Sequence, residues 1–359
     1  MLRVAVVGAT GVVGQQFLVG LENHPWFSVT KLAASSRSAG KSYRESITDK
    51  GGALRWWASA EPPAAYMDLF VEDASLLDPS SVDLIFSAVD ADAAKELKPV
   101  YAAKVPVIST ASAFRYESDT PILVGGVNMD HAVMLAVQQR RRGWKGFVAP
   151  KPNCTTAGLV ISLKPLLDHF GVKTVLMTSM QAISGAGRTP GVPGLDMIDN
   201  LIPYIPGEEA KAEAEPRKIL GAVADGEILP AGFAVSATCT RVPVIDGHTV
   251  IVSLSTEKPC TPDEAAAVMM QHGKDCPETK LPSAPAEFIH VTQDPFRPQP
   301  RLDRDRGDGM TTTVGRLRVD PVLPNGLKYI CLSHNTKLGA AKGAMFTAEY
   351  LVKEYLRWV

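Results

Sequence analysis

The stretch Leu2-Arg-Val-Ala-Val-Val-Gly8-Ala-Thr-Gly11-Val-Val-Gly14-Gln-Gln-Phe-Leu-Val-Gly-Leu21 sets the reading of the whole chain. Residues 2–7 are a short apolar run, rich in β-branched side chains and ending in glycine, as expected of a strand buried on both faces. Residues 12–22 continue with a helical pattern, and between the two the glycines fall at GxxGxxG spacing. Glycine permits the tight turn and lets backbone N–H groups approach an anion at a helix N-terminus, where unpaired donors and the macrodipole favour negative charge. Strand, glycine turn and helix in that order predict a dinucleotide site at Gly8 and Gly11. The end of the second strand selects the dinucleotide. It reads Ala34-Ser35-Ser36-Arg37-Ser38-Ala39-Gly40-Lys41, with hydroxyls and cations and no acid to bind the ribose 2′-hydroxyl of NAD. Arg37 and its serines suit the 2′-phosphate of NADP(H) instead.

Further strand-like runs lie at 28–34, 83–88, 105–109 and 121–124, with helical stretches such as 91–103 between them. That alternation predicts an α/β fold with a Rossmann-type, doubly wound parallel sheet over residues 1–150. After Pro150-Lys151-Pro152 the pattern changes to an apolar helix at 155–168 and strands at 172–181, 233–241 and 249–256, the last two separated by a turn at Asp246-Gly247. A second, mixed α+β domain is expected over 151–335. Gly339 to Leu356 has helical spacing and is expected to end the chain as a helix.

The 359 residues carry 37 Lys+Arg against 38 Asp+Glu, a balance that argues against a nucleic-acid partner. No run of about 18 apolar residues is present, so no membrane span is expected. The signal-like start is rejected because Gly8, Gly11, Gly14 and Gln15-Gln16 interrupt it. The 5 cysteines are far apart and form no CxxC pair, which predicts neither disulfides nor a metal site and points to a reducing, cytoplasmic setting.

Lys151-Pro152-Asn153-Cys154-Thr155-Thr156 immediately precedes an apolar helix. A cysteine there feels the unpaired N–H groups of the helix start, which lower a thiol pKa and can hold an oxyanion. Arg241-Val-Pro-Val-Ile-Asp-Gly-His248 supplies a histidine able to take the thiol proton, with a cation seven residues before it.

GATGVVG at the start, PNCTT around Cys154, Gln181-Ala-Ile-Ser184-Gly185-Ala-Gly187, Gly207-Glu208-Glu-Ala-Lys211 with Lys218-Ile-Leu220, Arg241 to His248, and Ser333-His-Asn335-Thr336 occur in one order. Together they resemble the aspartate-semialdehyde dehydrogenase family, in its archaeal and fungal branch, over nearly the whole chain. The resemblance implies that Cys154 attacks the acyl carbon of aspartyl phosphate and carries a thioester reduced by NADPH, in the biosynthesis of lysine, threonine, methionine and isoleucine. It gives His248 acid/base work and Gln181 the orientation of the acyl group. Arg241 would bind the substrate α-carboxylate, Glu208 its ammonium, and Arg115 with Lys211 the phosphate, beside Asn153. For the cofactor it implies Thr10, Gly11, Val12 and Val13 at the pyrophosphate, and Ser35, Ser36, Arg37 and Ser38 at the adenosine phosphate. Ser87 and Ala88 would lie at the sheet's carboxyl edge, Ser184 and Gly185 near the nicotinamide, and Asn335 at the carboxamide. It also implies that residues 336–359 complete the first domain, and that the second is a catalytic and dimerisation domain of a homodimer or homotetramer. Malonyl-CoA reductase and N-acetyl-γ-glutamyl-phosphate reductase share the fold. A non-catalytic NADP-binding protein is the alternative from another class.

Overall fold

The computed structural model describes residues 1–187, 194–274 and 276–358. Its first sheet contains Leu2–Val7 (β1), Phe27–Ala34 (β2), Lys41–Ser42 (β3), Phe70–Asp73 (β4), Leu84–Ser87 (β5), Val107–Ser109 (β6) and Val148–Pro150 (β7). The strand order is β3-β4-β2-β1-β5-β6-β7, and every pairing is parallel except that of the short edge strand β3. Central β1 serves two cores. Val4 and Val6 pack with Phe17, Leu18 and Leu21 of helix Val12–Leu21, while Ala5 and Val7 pack with Tyr101 and Ala102 of helix Ala91–Ala102. Cover on both faces is the reason the strand reads as unbroken apolar sequence. Ala341, Ala344, Met345 and Ala348 of helix Ala341–Tyr350 join the first of these cores, so the end of the chain packs on the first sheet.

Two expectations need correction. The run Pro121-Ile-Leu-Val124 is buried but forms no strand. Pro121 has no N–H to offer a ladder, and side chains satisfy the backbone instead. Asn128 accepts from the Val124 N–H and donates to Ile122 O, and Lys151 Nζ donates to Leu123 O. The sheet edge is β7, which pairs Pro150 with Ser109 and delivers residues 151–154 from the carboxyl ends of the strands. The terminal helix starts at Ala341, two residues later than expected, and ends in a π-helical turn over Leu351–Tyr355.

The second sheet is built from Val172–Gln181 (β8), and, after a small ribbon of Ala222–Ala224 (β9) and Glu227–Leu229 (β10), from Ala234–Arg241 (β11), His248–Thr256 (β12), Ile289–Val291 (β13), Thr312–Val319 (β14) and Gly326–Ser333 (β15). Its order is β11-β8-β12-β15-β14-β13. The turn at Asp246-Gly247 therefore joins no hairpin, because β8 lies between β11 and β12. β11 runs parallel to β8 with Arg241 beside Gln181, and antiparallel β12 begins with His248 beside Ser333 of β15. Gln181, Arg241, His248 and Ser333 thus collect at one end of the sheet. Helix Cys154–Phe170 lies across it, with Leu159, Val160 and Leu163 in a common core with Val252, Leu327 and Tyr329. A Cβ at Gly158 would stand 2.1 Å from Ser333 Oγ, so glycine lets the first turns of this helix sit on β15 and puts Cys154 over the collected side chains.

Candidate active site

Asn153 caps the helix, its Oδ1 accepting the Thr155 N–H at 2.9 Å. Cys154 is therefore the first helical residue, partly open to the cleft, with Sγ 3.1 Å from His248 Nε2. The other ring nitrogen fixes the proton. Ala182 N–H donates to His248 Nδ1 at 3.0 Å, so Nδ1 is bare and the neutral ring carries its hydrogen on Nε2, aimed at Sγ. Burial, with Arg241 and His334 adding to it, pushes His248 down to about 3. Burial, then Glu208, push the Cys154 thiol up, against the pull of Arg115, Arg241 and the Thr155 N–H.

This differs from the sequence expectation of a lowered thiol pKa and a histidine that takes the proton. Helix-start donors are present, but desolvation outweighs them in the resting site. Alkylation of Cys154 by iodoacetamide should accordingly be slow at pH 7 and accelerate with a midpoint above the ordinary thiol value of about 8.5. A reactive plateau with its midpoint below about 7 would mean a thiolate–imidazolium pair and refute this assignment.

Charged groups ring the thiol. Glu208 begins helix Glu208–Ile219 and accepts from Lys211 Nζ at 2.8 Å, Asn153 Nδ2 at 2.7 Å and Gln181 Nε2 at 3.4 Å. Burial alone would raise its carboxyl pKa, but Lys211, Asn153 and Gln181 bring it below the ordinary value. Arg115 is 4 % exposed and donates through Nη2 to Thr110 O and Pro152 O, and through Nη1 to Glu215. Its buried Nε has no partner among the described residues. Arg241 donates from Nη1 to Ala182 O at 2.8 Å.

One cleft of roughly 1430 Å³ connects this ring to the glycine turn. Gly8, Thr10, Gly11, Val12, Val13, Ser35, Arg37, Ser38, Ala88, Arg115, Asn153, Cys154, Gln181, Ser184, Gly185, Glu208, Lys211 and Asn335 all face it. Four of the proposed residues do not. Ser36 and Ser87 stand off the lining, and Arg241 and His248 lie behind Gly185, whose hypothetical Cβ would be 3.0 Å from each. Asn335 ties the parts together, donating to Ser184 Oγ and accepting from Gly247 N–H.

The cleft suits a dinucleotide. Gly8 has φ +84°, and a Cβ there would be 2.6 Å from Ala88 O. Helix Val12–Leu21 has no side-chain cap and no acid in its first turn, leaving its N-terminal field for an anion from the ligand. Arg37 stands at the far end with Ser35 and Ser38.

Comparisons agree with this geometry. Residues 3–134 match the semialdehyde dehydrogenase NAD-binding domain and residues 163–338 the semialdehyde dehydrogenase dimerisation domain. Aspartate-semialdehyde dehydrogenase of Archaeoglobus fulgidus is 46% identical over 354 residues, 98% of each chain. That of Methanothermobacter thermautotrophicus is 43% identical over 356 residues, 99% of this chain and 100% of its own. The chain belongs to the aspartate-semialdehyde dehydrogenase family. A crystal structure of the Candida albicans aspartate semialdehyde dehydrogenase with NADP superposes with a TM-score of 0.85 at 39% identity, covering 98% of each chain. The Vibrio cholerae aspartate semialdehyde dehydrogenase II complexed with ASA gives 0.77 at 26% identity, covering 99% of each chain.

Within this family framework three buried groups escaped the sequence reading. Glu215 is fully buried between Arg115 and the Asn153 N–H. Its spacing of seven from Glu208 is the one available signal, since both then share a helix face. Lys98 and Lys151 are buried near Arg115, bonded to Ala113 O and Leu123 O, and burial brings each down to about 7.

Proposed function

We propose that this chain carries out the NADPH-dependent reductive dephosphorylation of L-4-aspartyl phosphate to L-aspartate 4-semialdehyde, reversibly, through a thioester on Cys154. The observation that carries the reading is the 3.1 Å contact of His248, behind the wall, with Cys154, which lines the same cleft as the glycine turn.

Cys154 Sγ forms a bond to the acyl carbon, and the bond from that carbon to the phosphate oxygen breaks. Arg115 and Lys211, both on the cleft lining, hold the phosphate. The thiol proton leaves with the departing group as hydrogen phosphate. His248 donates its Nε2 hydrogen toward sulfur, which steadies the thiolate as leaving group. Gln181 orients the acyl oxygen, Glu208 fixes the ammonium end of the amino acid, and Arg241, held by Ala182 O behind Gly185, directs its positive charge at the carboxylate end. Gly8, Thr10 to Val13, Ser35, Arg37, Ser38, Ala88, Ser184, Gly185 and Asn335, which line the cleft, would hold NADP(H), whose hydride would reduce the thioester. The aldehyde then leaves as Cys154 regains its proton from water.

Residues 1–150 with 336–359 form the cofactor domain and 151–335 the catalytic and dimerisation domain. A homodimer or homotetramer is supported by exposed Leu176 and Ile251 on neighbouring strands β8 and β12. Cytoplasmic placement is supported by the dependence on a reduced Cys154 thiol. Among the described residues no helix is long and apolar enough to cross a membrane.

The reaction is tested by NADP reduction with aspartate semialdehyde and phosphate, in parallel with malonate semialdehyde and CoA. Phosphate-dependent activity on the first pair is expected. Activity confined to the second pair would assign the chain to acyl-CoA reduction.

A further inference from the structure

Glu215 stands behind the cleft wall, 0 % exposed, and lines no part of the cleft. Its two oxygens serve different masters. Oε1 accepts from Arg115 Nη1 at 2.9 Å and from Tyr116 OH at 3.3 Å. Oε2 accepts from the backbone N–H of Asn153 at 2.6 Å. One carboxylate therefore joins the guanidinium to the residue that caps the nucleophile's helix.

The rest of Arg115 is equally constrained. Nη2 is held by Thr110 O at 2.9 Å and Pro152 O at 3.2 Å. With both terminal nitrogens fixed, the planar fork has one orientation at the cleft wall. A buried ion pair placed only for stability has no reason to divide its carboxylate between a substrate-binding side chain and the peptide N–H one residue before the nucleophile. Arg142 with Asp119 shows the alternative, since both Asp119 oxygens face the one arginine.

We propose that Glu215 is a positioning residue for phosphoryl recognition. It holds Arg115 at a fixed place relative to Cys154, so that the leaving phosphate and the attacked carbon are registered together, while touching neither substrate nor cofactor. The proposal rests on the reading of Arg115 as a phosphate ligand.

The test is a double-mutant cycle in the phosphate-dependent oxidation of aspartate semialdehyde, with Glu215→Gln, Arg115→Ala and the pair. Glu215→Gln keeps the shape but turns an amide donor either toward Arg115 Nη1 and Tyr116 OH or toward the Asn153 N–H. The expected result is a rise of about tenfold or more in the KM for phosphate, with the KM for NADP changed by less than about twofold. In the Arg115→Ala background the same substitution should move the phosphate KM by less than about twofold, because the two act as one unit. Additive losses would overturn the proposal, as would an unchanged phosphate KM in Glu215→Gln when Arg115→Ala raises it. An Arg115→Ala variant with unaltered phosphate KM would instead overturn the reading of Arg115 itself. Should glutamine at 215 give no folded protein, Glu215→Asp retains the charge and shortens the reach. The same split between phosphate and NADP is expected of it, and equal losses in both would refute the positioning role.

Discussion

Cys154→Ser should lower turnover by at least about 10³-fold, because a hydroxyl at the helix start cannot supply the nucleophile that the thiolate does. The substitution is nearly isosteric. Asn153 still caps the helix through the Thr155 N–H, so the fold and the cofactor cleft are expected to survive. Cys239→Ser is the control. Cys239 is a fully buried core residue on β11, and its replacement should affect stability before activity. Steady-state rates of the two variants decide the matter, and equal losses would place the nucleophile elsewhere.

His248→Asn should cost about 10²- to 10³-fold in kcat, the range for loss of a preorganised hydrogen-bond donor to developing negative charge. The Ala182 N–H holds the ring so that Nε2–H meets sulfur at 3.1 Å, and the shorter asparagine cannot reach that point while still accepting from Ala182. Binding should change far less, since His248 lies behind Gly185 rather than on the cleft lining. A kcat reduced by less than about tenfold would remove His248 from the chemistry.

The same residues show where sequence reading succeeds. The strand–glycine–helix unit at 2–21 is legible because its signals are local: the apolar run, the turn and the helix follow directly on one another. Cys154 and His248 are legible as types, but their relation is not. They meet because β12 returns antiparallel beside β8 and the helix crosses both, which no spacing in the chain reveals. The tautomer of His248 depends on a single peptide N–H from another strand end. Pro121–Val124 misleads because a buried coil satisfied by side chains has the same composition as a buried strand. Glu215 sits in Glu208-Glu-Ala-Lys-Ala-Glu-Ala-Glu215, which reads as a solvated helix face. Burial against Arg115 alone separates it from Glu209 and Glu213. Residues 257–310 have no legible periodicity, yet Asp305 pairs with Lys337 at 3.0 Å and so anchors the segment just beyond Asn335.

The proposed reaction runs through a covalent intermediate on Cys154. Mixing the protein with L-4-aspartyl phosphate in the absence of NADPH, quenching in acid and mapping peptides by mass spectrometry should show an aspartyl adduct on Cys154. The adduct should be released by hydroxylamine and be missing from Cys154→Ser. An adduct on another residue, or aspartyl phosphate that is reduced on adding NADPH although no adduct forms before it, would contradict the account.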